Sequence, residues 1–402
     1  MSQLSPADGP RSAVAGPPPA ARADSLSAVL THLHRHGPLT RTRLAALTGR
    51  NRSTIAALVG RLVECGAAEE TPGEPDGATG RPSLLVRPRS DAVQVMAVDV
   101  SGEGVTGALV GLGGAVLART GISLPDPWTT PAGARTMADL VVATVTALEA
   151  HPLAHRPLGL GVAVPGVVDV DSGVVALSPT LGWSGEPLGE MLADARPDLP
   201  VLLGNDADLG LLSELRHGAA RDGQDVVYLS AGAGVGGGMV SGGQRVRGAS
   251  GYAGEVGHVL VRPGGRRCRC GARGCWETEV GPAALARALG TSPAAAALVA
   301  GLDAERERRT GRLDEVATWL GVGVAALVTL LNPRSVVFGG LLREVFVVEE
   351  PLVRAVVARH TLAPALVDLR LLPASAGDGA LSGAAELVWD HVLADPVTFL
   401  GA

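Results

Sequence analysis

The sequence has no lysine, few aromatic side chains and only four cysteines. All 34 basic residues are arginine, and only ten of the 402 residues are aromatic. We attribute this usage to a GC-rich gene and give the choice of arginine no functional meaning. The longest apolar runs, 294–302 and 321–331, fall short of the ~18–20 residues that a helix needs to span a bilayer. We therefore expect no transmembrane helix.

The first 23 residues lack the pattern of a secretory signal. They are rich in proline and alanine, and no basic region leads into an apolar one. This predicts a disordered tail, 1–23, on a cytoplasmic protein that has no membrane partner. The remaining length, with 46% hydrophobic and 18% charged residues in the whole chain, indicates two or three globular domains.

Charge is unevenly distributed along the chain. Residues 1–90 contain 11 arginines and 7 acidic residues, whereas the rest contains 23 arginines and 33 acidic residues. A basic head on an acidic body favours contact between the head and a polyanion, while the body keeps the molecule soluble.

Residues 24–90 have the pattern of a winged helix-turn-helix domain. An apolar helical stripe begins after Ser25 and ends at Gly37-Pro38, and Thr40 can cap a second short helix. A third helix begins near Ser53. Its predicted inward-facing residues are Ile55, Leu58, Val59, Leu62 and Val63.

A turn-rich loop at 71–80 and an apolar strand at 84–86 predict the wing, with Arg81 near its tip. The exposed start of the third helix carries side-chain types that reach bases and phosphates in a major groove. The residues predicted to contact DNA are Arg50, Asn51, Arg52, Ser53, Thr54, Arg61 and Arg81. A three-helix interaction domain with solvated arginines is the alternative, but seven arginines against two acidic residues in 22–66 favour DNA.

Three histidines, His32, His34 and His36, alternate along the predicted first helix. We interpret them as surface polar residues that do not share one face and do not bind metal. Cys65, at the end of a helix, is expected to be a small core residue.

The body, 91–402, is predicted to be an α/β fold with a mixed sheet. Apolar strand patterns at 93–100, 105–110 and 115–119 precede an amphipathic helix at 132–150 and a further strand at 158–164.

Seven residues rich in glycine, 232–238, follow a buried strand predicted at 226–230. They match G-x-G-x-x-G, but the helix and the later acidic residue of a dinucleotide site do not follow. Met239-Val240 and another glycine pair instead predict a strand, a tight turn and a strand. Such a turn lets backbone N–H groups approach a phosphate, and a merely glycine-rich turn is the alternative.

Between Gly254 and Glu277 the chain reads GEVGHVLVRPGGRRCRCGARGCWE. Three thiols in this loop, together with a histidine, form the Cys₃His donor set that Zn²⁺ prefers. The predicted ligands are His258, Cys268, Cys270 and Cys275. Four protein ligands leave no open position for water, so the predicted zinc is structural. The alternative, three free thiols beside arginines, would leave reactive groups exposed.

The motif G-E-x-G-H followed by C-x-C-G-x-x-G-C-x-E resembles that of the ROK family, named for repressors, open reading frames and kinases. The resemblance spans about 25–390 and includes the strand ending in Asp99, Pro165-Gly166, Gly204-Asn205-Asp206, the 232–238 glycines, Asn332-Pro333 and Gly339-Gly340. It implies the two-lobed sugar-kinase/actin/hexokinase fold behind the winged head. It also implies that the Cys₃His set binds zinc and that sugar hydroxyls are held by Asn205, Asp206, Glu255, His258 and Glu277.

Three motifs depart from those of the kinases in this family. Their D-x-G-G-T turn is Asp99-Val100-Ser101-Gly102-Glu103 here, so the negative charge of Glu103 replaces a threonine that approaches phosphate. The usual Gly-Thr-Gly holds Ala233 in place of threonine, and Thr180 stands where asparagine is common. The two phosphate-turn changes favour a regulator without catalytic residues. Asp206, which would be the general base of a kinase or simply a helix-capping residue, is retained.

We therefore expect a sugar-responsive, DNA-binding repressor of carbohydrate uptake or catabolism genes. Its expected partners are a sugar effector, an inverted-repeat operator and a second copy of the chain, as a homodimer or higher oligomer. The first alternative is an ATP-dependent ROK sugar kinase with a DNA-binding head, and the second is a constitutive DNA binder with a vestigial sugar site. The segment 85–95, which contains Pro88, is expected to transmit closure of the sugar cleft to the head.

Overall fold

The computed structural model describes a small head and a body of two α/β lobes. The described residues are 25–72, 84–124, 132–249, 251–291, 293, 310–375 and 378–401. The predicted tail, 1–23, and Arg81 lie outside them. The fold class predicted from the sequence is confirmed.

The head begins with three helices, α1 (Ser25–His36), α2 (Arg41–Thr48) and α3 (Arg52–Glu64). Thr40 caps α2, because its hydroxyl oxygen accepts a backbone N–H from the first turn at 3.1 Å. Gly49 then ends α2 in the left-handed conformation, with φ 67°, which a glycine adopts without strain. The second and third helices thus have the order and the tight turn of a helix-turn-helix.

An antiparallel sheet completes the head. Its strands are β1 (Leu39–Thr40), β2 (Ala68–Pro72) and β3 (Leu84–Pro88), in the order β1-β3-β2. The predicted apolar strand at 84–86 is therefore confirmed as part of β3, which pairs with β2 as a wing requires.

One residue of the predicted inward face of α3 is exposed. Ile55, Leu58, Val59 and Leu62 are buried, but Val63 is 40% exposed. The prediction for Val63 was wrong because this position lies at the edge of the apolar stripe, where neither α1 nor α2 covers it.

The N-terminal lobe is built on a mixed five-stranded sheet. Its strands are β4 (Gln94–Ser101), β5 (Gly104–Gly111), β6 (Val116–Ser123), β7 (Leu160–Val164) and β11 (Val201–Asn205). Their order is β11-β7-β4-β5-β6, with β4 parallel to β7 and antiparallel to β5. The predicted amphipathic helix, α4 (Ala134–Glu149), packs on this sheet.

The C-terminal lobe has a second five-stranded sheet. Its strands are β12 (Val226–Ala231), β13 (Val235–Ser241), β14 (Gln244–Arg245), β15 (Ser335–Gly339) and β16 (Arg370–Pro373). They are ordered β14-β13-β12-β15-β16, and β12 pairs with β13 as an antiparallel hairpin. The predicted strand, glycine turn and strand are therefore confirmed.

The remaining elements surround the two sheets. A small sheet contains β8 (Val167–Asp169), β9 (Val174–Ser178) and β10 (Trp183–Glu186). The helices are α5 (Leu188–Ala195), α6 (Asp206–Arg216), α7 (Glu277–Val280), α8 (Pro282–Leu289), α9 (Asp314–Leu331), α10 (Gly340–His360), α11 (Ala363–Leu366), α12 (Gly379–Ala394) and α13 (Pro396–Leu400), with a 3₁₀ turn at Val256–His258. Helix α6 packs against β12, β13 and α12, whereas α12 packs on β4 and β7.

Helix α9 is long and apolar enough to cross a membrane, with a mean hydropathy of 1.5 over a window that is 50% buried. Leu320, Val324 and Val328 of this helix are fully buried in the core of the C-terminal lobe. A Cβ on Gly323 would overlap the ring of Trp276, so the helix packs directly on that indole. These contacts are those of a core helix.

A single apolar cluster joins the head to the body. Leu26 and Leu30 of α1 belong to the same cluster as Val95 of β4 and Trp389 of α12, and all four are fully buried. His34 lies in this interface and is only 1% exposed. The interpretation of His34 as a surface residue was wrong. The body covers a face of α1 that the hydrophobic pattern of the head alone leaves exposed to solvent.

Candidate functional site

The five residues predicted to hold a sugar line one cleft between the lobes. Asn205 and Asp206 come from the junction of β11 and α6. Glu255 immediately precedes the 3₁₀ turn, His258 ends it, and Glu277 begins α7. The lining also includes Thr180, Arg269 and the turn between β12 and β13. Residues far apart in the sequence are thus brought together by the end of β11, the 3₁₀ turn and the start of α7.

The amide of Asn205 has a structural role in this cleft. Its Oδ1 accepts the backbone N–H of Asp208 at 2.9 Å and caps α6, while its Nδ2 donates to the carbonyl of Gly166 at 2.8 Å. Oδ1 of Asp206, the first residue of α6, accepts the N–H of Ala207 at 2.8 Å. Helix capping, the structural alternative raised for Asp206, is thus performed by Asn205, whose Nδ2 has a second N–H that can donate to a ligand.

Two carboxyl groups in the cleft, those of Asp206 and Glu255, hold their protons more strongly than usual. Burial raises the pKa of Asp206 to about 6; the hydrogen bond from Ala207 opposes this, and the nearby Glu255 adds to it. Burial likewise raises the pKa of Glu255, although the neighbouring His258 lowers it. A carboxyl with a pKa near neutrality can accept hydrogen bonds from hydroxyls or exchange a proton with one.

The four predicted metal ligands converge on one point. The ligand atoms of His258, Cys268, Cys270 and Cys275 all lie within 4.8 Å of one another. Sγ of Cys270 lies 3.7 Å from Sγ of Cys275, and Sγ of Cys268 lies 3.7 Å from Nδ1 of His258. Two thiolates bound at ~2.3 Å to a tetrahedral Zn²⁺ lie ~3.8 Å apart. The donor types and their spacing fit this ion.

His258 faces two sites with its two ring nitrogens. Nδ1 faces Cys268, whereas Nε2 lies 3.7 Å from a carboxylate oxygen of Glu255 in the cleft. If Nδ1 binds a metal ion, the proton of the neutral ring resides on Nε2 and can be donated into the cleft. The same side chain can therefore contribute both to a metal site and to the cleft.

Behind the cleft lies a second compartment at the turns that hold phosphate in a kinase. Asp99, Asp206, Asp378 and Ala233 line it, and none of its described lining residues is basic. Burial raises the pKa of Asp99 to about 8, with further contributions from Asp206 and Asp378. Glu103, predicted to repel phosphate, is exposed in the turn between β4 and β5 rather than in the lining.

Two lining residues were not identified from the sequence. Asp378 immediately precedes α12 and forms an ion pair with Arg119; an acidic residue followed by glycine before an apolar helix was the available signal. Arg269 lies between two of the cysteines and reaches the cleft because the loop folds back on itself.

The residues predicted to contact DNA lie mostly together at the start of α3. Arg50, Arg52 and Ser53 are exposed and Thr54 is half-buried. Asn51 is exposed too, but its Oδ1 caps α3 by accepting the N–H of Thr54 at 2.8 Å and also accepts the hydroxyl of Ser53 at 2.8 Å.

Arg61 lies apart from this group of side chains. It is half-buried in the last turn of α3, about 10 Å along the helix axis from Thr54.

Known proteins that are similar in sequence include repressors and glucokinases. The xylose repressor of Bacillus subtilis (strain 168) is 26% identical over 374 residues, which is 91% of this chain and 94% of the repressor. The glucokinase of Streptomyces coelicolor is 30% identical over 264 residues, which is 60% of this chain and 80% of the kinase.

Similar solved structures likewise include a transcriptional regulator and a glucokinase. A ROK family transcriptional regulator, described as a homologue of the E. coli MLC protein, superposes with a TM-score of 0.72 at 22% identity over 94% of this chain and all of that one. A ROK family glucokinase from Streptomyces griseus, in complex with glucose and AMPPNP, gives 0.63 at 28% identity over 74% of this chain and 99% of that one. The model of the ROK family matches residues 95–391, so this chain belongs to the ROK family.

Proposed function

We propose that this protein is a transcriptional repressor whose affinity for its operator is set by a sugar or sugar derivative bound in the cleft. The observation that carries the proposal is the presence, in one chain, of a helix-turn-helix with an exposed polar start to α3 and a sugar-kinase-like cleft lined by the five expected side chains. The head meets DNA, and the body detects the ligand.

The comparisons support the role of the head. The repressor and the regulator match at least 91% of this chain, whereas the two glucokinases match 60% and 74%. The part of the chain beyond the kinase-like body is therefore shared with proteins whose names describe regulation. We place the head at 24–90 and the ROK body at 91–402.

The proposed metal is a structural Zn²⁺ on His258, Cys268, Cys270 and Cys275. Support comes from the donor set and from the two 3.7 Å separations between ligand atoms. The ion would join the segment carrying Glu255 and His258 to the segment carrying Glu277, and so hold one wall of the cleft in place. Its function would be structural, since all four positions are filled by protein ligands.

The proposed sugar ligands are Asn205, Asp206, Glu255, His258 and Glu277. Carboxylates can accept hydrogen bonds from adjacent hydroxyls of a sugar ring, and Nε2 of His258 can donate one. We further propose that the protein acts in the cytoplasm as a homodimer on an inverted-repeat operator, since symmetric dimers read symmetric sites.

A sugar kinase with a DNA-binding head is the second candidate. Asp206 favours this candidate, because its carboxyl lines both the cleft and the second compartment behind it. Its pKa of about 6 suits a general base. Ala233, which lacks the threonine hydroxyl, and the acidic lining of the second compartment argue against ATP binding. Release of ADP with D-glucose, D-xylose and other sugars distinguishes the two, and sustained turnover would contradict the repressor-only proposal.

The decisive experiment measures operator affinity of the full-length protein with and without each sugar of that panel. We expect one sugar to change the affinity by at least about fivefold, and operator DNA to change the affinity for that sugar by the same factor, as thermodynamic linkage requires. Calorimetric titration of the sugar with and without operator measures how much operator DNA changes the affinity for the sugar. Equal sugar affinity in both titrations would show that the body is not the sensor.

A further inference from the structure

A buried polar cluster lies where the head meets the body. His34 of α1 places Nε2 at 2.9 Å from Oε2 of Glu386, which lies in the middle of α12. His217, which follows α6, places its Nε2 at 3.0 Å from Oε1 of the same carboxylate. The side chains of His34 and Glu386 are 0% and 2% exposed. One carboxylate thus holds one ring from the head and one from the body.

The hydrogen bonds define which nitrogen of His34 carries the proton. Nδ1 of His34 accepts the backbone N–H of Gly113 at 3.0 Å. A nitrogen that accepts cannot carry a proton, so the proton is on Nε2 and is donated to Glu386. A metal ion would need the lone pair of this same Nε2, so the three side chains do not fit a metal site. They form a hydrogen-bonded connection instead.

Glu386 is held as an anion in this interface. Burial alone would raise the pKa of its carboxyl, but the His34 and His217 rings outweigh burial and keep the pKa below its ordinary value. A buried carboxylate that loses one of its donors is strongly destabilised. The head therefore cannot move away from α12 without leaving this charge less well solvated.

Further contacts join the end of α1 to the loop after α6. The Arg221 guanidinium donates to the backbone carbonyl of Arg35 and lies 2.8 Å from Nδ1 of His36. Asp222, a non-glycine residue with φ 56°, lies 3.8 Å from the guanidinium of Arg35. A cation at the carboxyl end of a helix is favourable, so this loop stabilises the last turn of α1 against the body.

Helix α6 reaches the sugar cleft, and α12 begins at the compartment behind it. Helix α6 begins with Asp206 in the cleft and ends one residue before His217, a rise of about 16 Å. A Cβ on Gly383 of α12 would overlap the backbone carbonyl of Leu209 in α6. The two helices therefore pack backbone against backbone, and a shift of α6 at the cleft displaces α12 as well.

We propose that Glu386, bound by His34 from the head and His217 from the body, couples occupancy of the sugar cleft to the position of the DNA-binding head. This rests on the proposed function, to which it adds a physical route through α6 and α12. Sugar binding at Asp206 shifts α6, the His217–Glu386–His34 contacts rearrange, and the head changes its orientation. Glu386, His34 and His217 are positioning residues that contact neither sugar nor DNA.

The test compares Glu386→Gln and His217→Gln with the parent, as full-length proteins. Gln at 386 has one acceptor oxygen for two donor rings, and His217 is exposed enough for its variant to fold. The exposed His360 at the end of α10 supplies a matched control, His360→Gln. We expect both coupling variants to bind the effective sugar of the panel, while the change that this sugar causes in operator affinity falls at least about fivefold.

A second measurement needs no sugar. Hydrogen exchange of the α1 amides in the full-length protein should be at least about fivefold faster in both coupling variants, with exchange in α9 and in His360→Gln unchanged. If the parent responds to a sugar and the variants keep the full response, the coupling proposal is overturned and the proposed function is not. Unchanged hydrogen exchange in α1 of the variants, or loss of sugar binding by the variants, would also overturn the coupling proposal. A parent that responds to no sugar would overturn the proposed function, and unchanged α1 exchange would separately decide against the coupling contacts.

Discussion

Oε2 of Glu277 accepts a hydrogen bond of 3.0 Å from the backbone N–H of Val235. This hydrogen bond joins α7, which follows the cysteine loop, to the glycine turn between β12 and β13. A Cβ on Gly234 would lie 2.8 Å from the same oxygen, so the turn needs glycine for this approach. Oε1 of Glu277 lies 3.8 Å from Sγ of Cys268. The proposed metal centre and the glycine turn therefore share one carboxylate.

Loss of one metal ligand should disorganise the cleft. Cys270 is the exposed cysteine of the proposed metal site, so Cys270→Ser removes a proposed ligand with little loss of packing. We expect loss of bound zinc and of the sugar response, while the full-length variant still binds operator DNA through its head. Elemental analysis and sugar calorimetry measure the outcome, with Cys65→Ser as the control. A parent purified without chelator that contains no zinc would contradict the metal assignment.

Removal of a cleft carboxylate should separate sensing from DNA binding. Glu255→Ala deletes an acceptor for sugar hydroxyls without touching the head. We expect operator affinity to stay within about twofold of the parent and the sugar response to be lost. Glu277→Ala should have the same effect, with an added loss of stability, because the N–H of Val235 loses its partner. Glu350→Ala, on the exposed surface of α10, is the control. A full sugar response in Glu255→Ala would remove this residue from the pocket.

Sugar affinity should fall in mildly acidic solution. The pKa of Asp206 is about 6 in the folded protein, above its ordinary value of 3.8. If the carboxylate accepts a sugar hydroxyl, protonation removes that acceptor, and affinity falls by up to about tenfold per pH unit below pH 6. Calorimetry between pH 5 and 8 measures this dependence. Asp206→Asn should bind weakly with a flat profile, and a flat profile in the parent would exclude the carboxylate from sugar binding.

Sequence preference should be set at the start of α3. Thr54→Ala removes a hydroxyl that can reach a base edge, and we expect a change of ~1–3 kcal/mol in the discrimination at one operator position. Binding to a panel of mutated operators gives this quantity. Asn51→Ala is a less specific variant, because it also removes the cap of α3 and costs about 1 kcal/mol of stability. An unchanged preference in Thr54→Ala would place the base contacts elsewhere.

Arg81 should act differently from Thr54. Its replacement by alanine removes a cation that meets phosphate or the minor groove, so binding should weaken on all sequences and the slope of log affinity against log salt should decrease by about one. Titrations at several salt concentrations measure the slope. Arg312→Ala, in the body, is the control, and an unchanged slope in Arg81→Ala would contradict a DNA contact by this residue.

The sequence by itself determined the local features and the grouping of three cysteines in one loop. Helical periodicity predicted the three head helices, Thr40 predicted a cap, and the glycine run predicted a hairpin rather than a dinucleotide turn. These succeeded because turns, caps and amphipathic stripes depend on residues that are close along the chain. The cysteine loop succeeded for the same reason, since Cys268, Cys270 and Cys275 lie within eight residues.

Only the tertiary structure decided how the head meets the body. His34 looked like a surface residue because its partners, Gly113, His217 and Glu386, lie 79 or more positions away. Asp378 was missed because its relation to Asp99 and Asp206 exists only after two lobes have packed together. Whether a side chain is buried, and whether it is charged, depends on the residues that pack over it from distant parts of the sequence. The hydrophobic periodicity of one helix or strand does not contain that information.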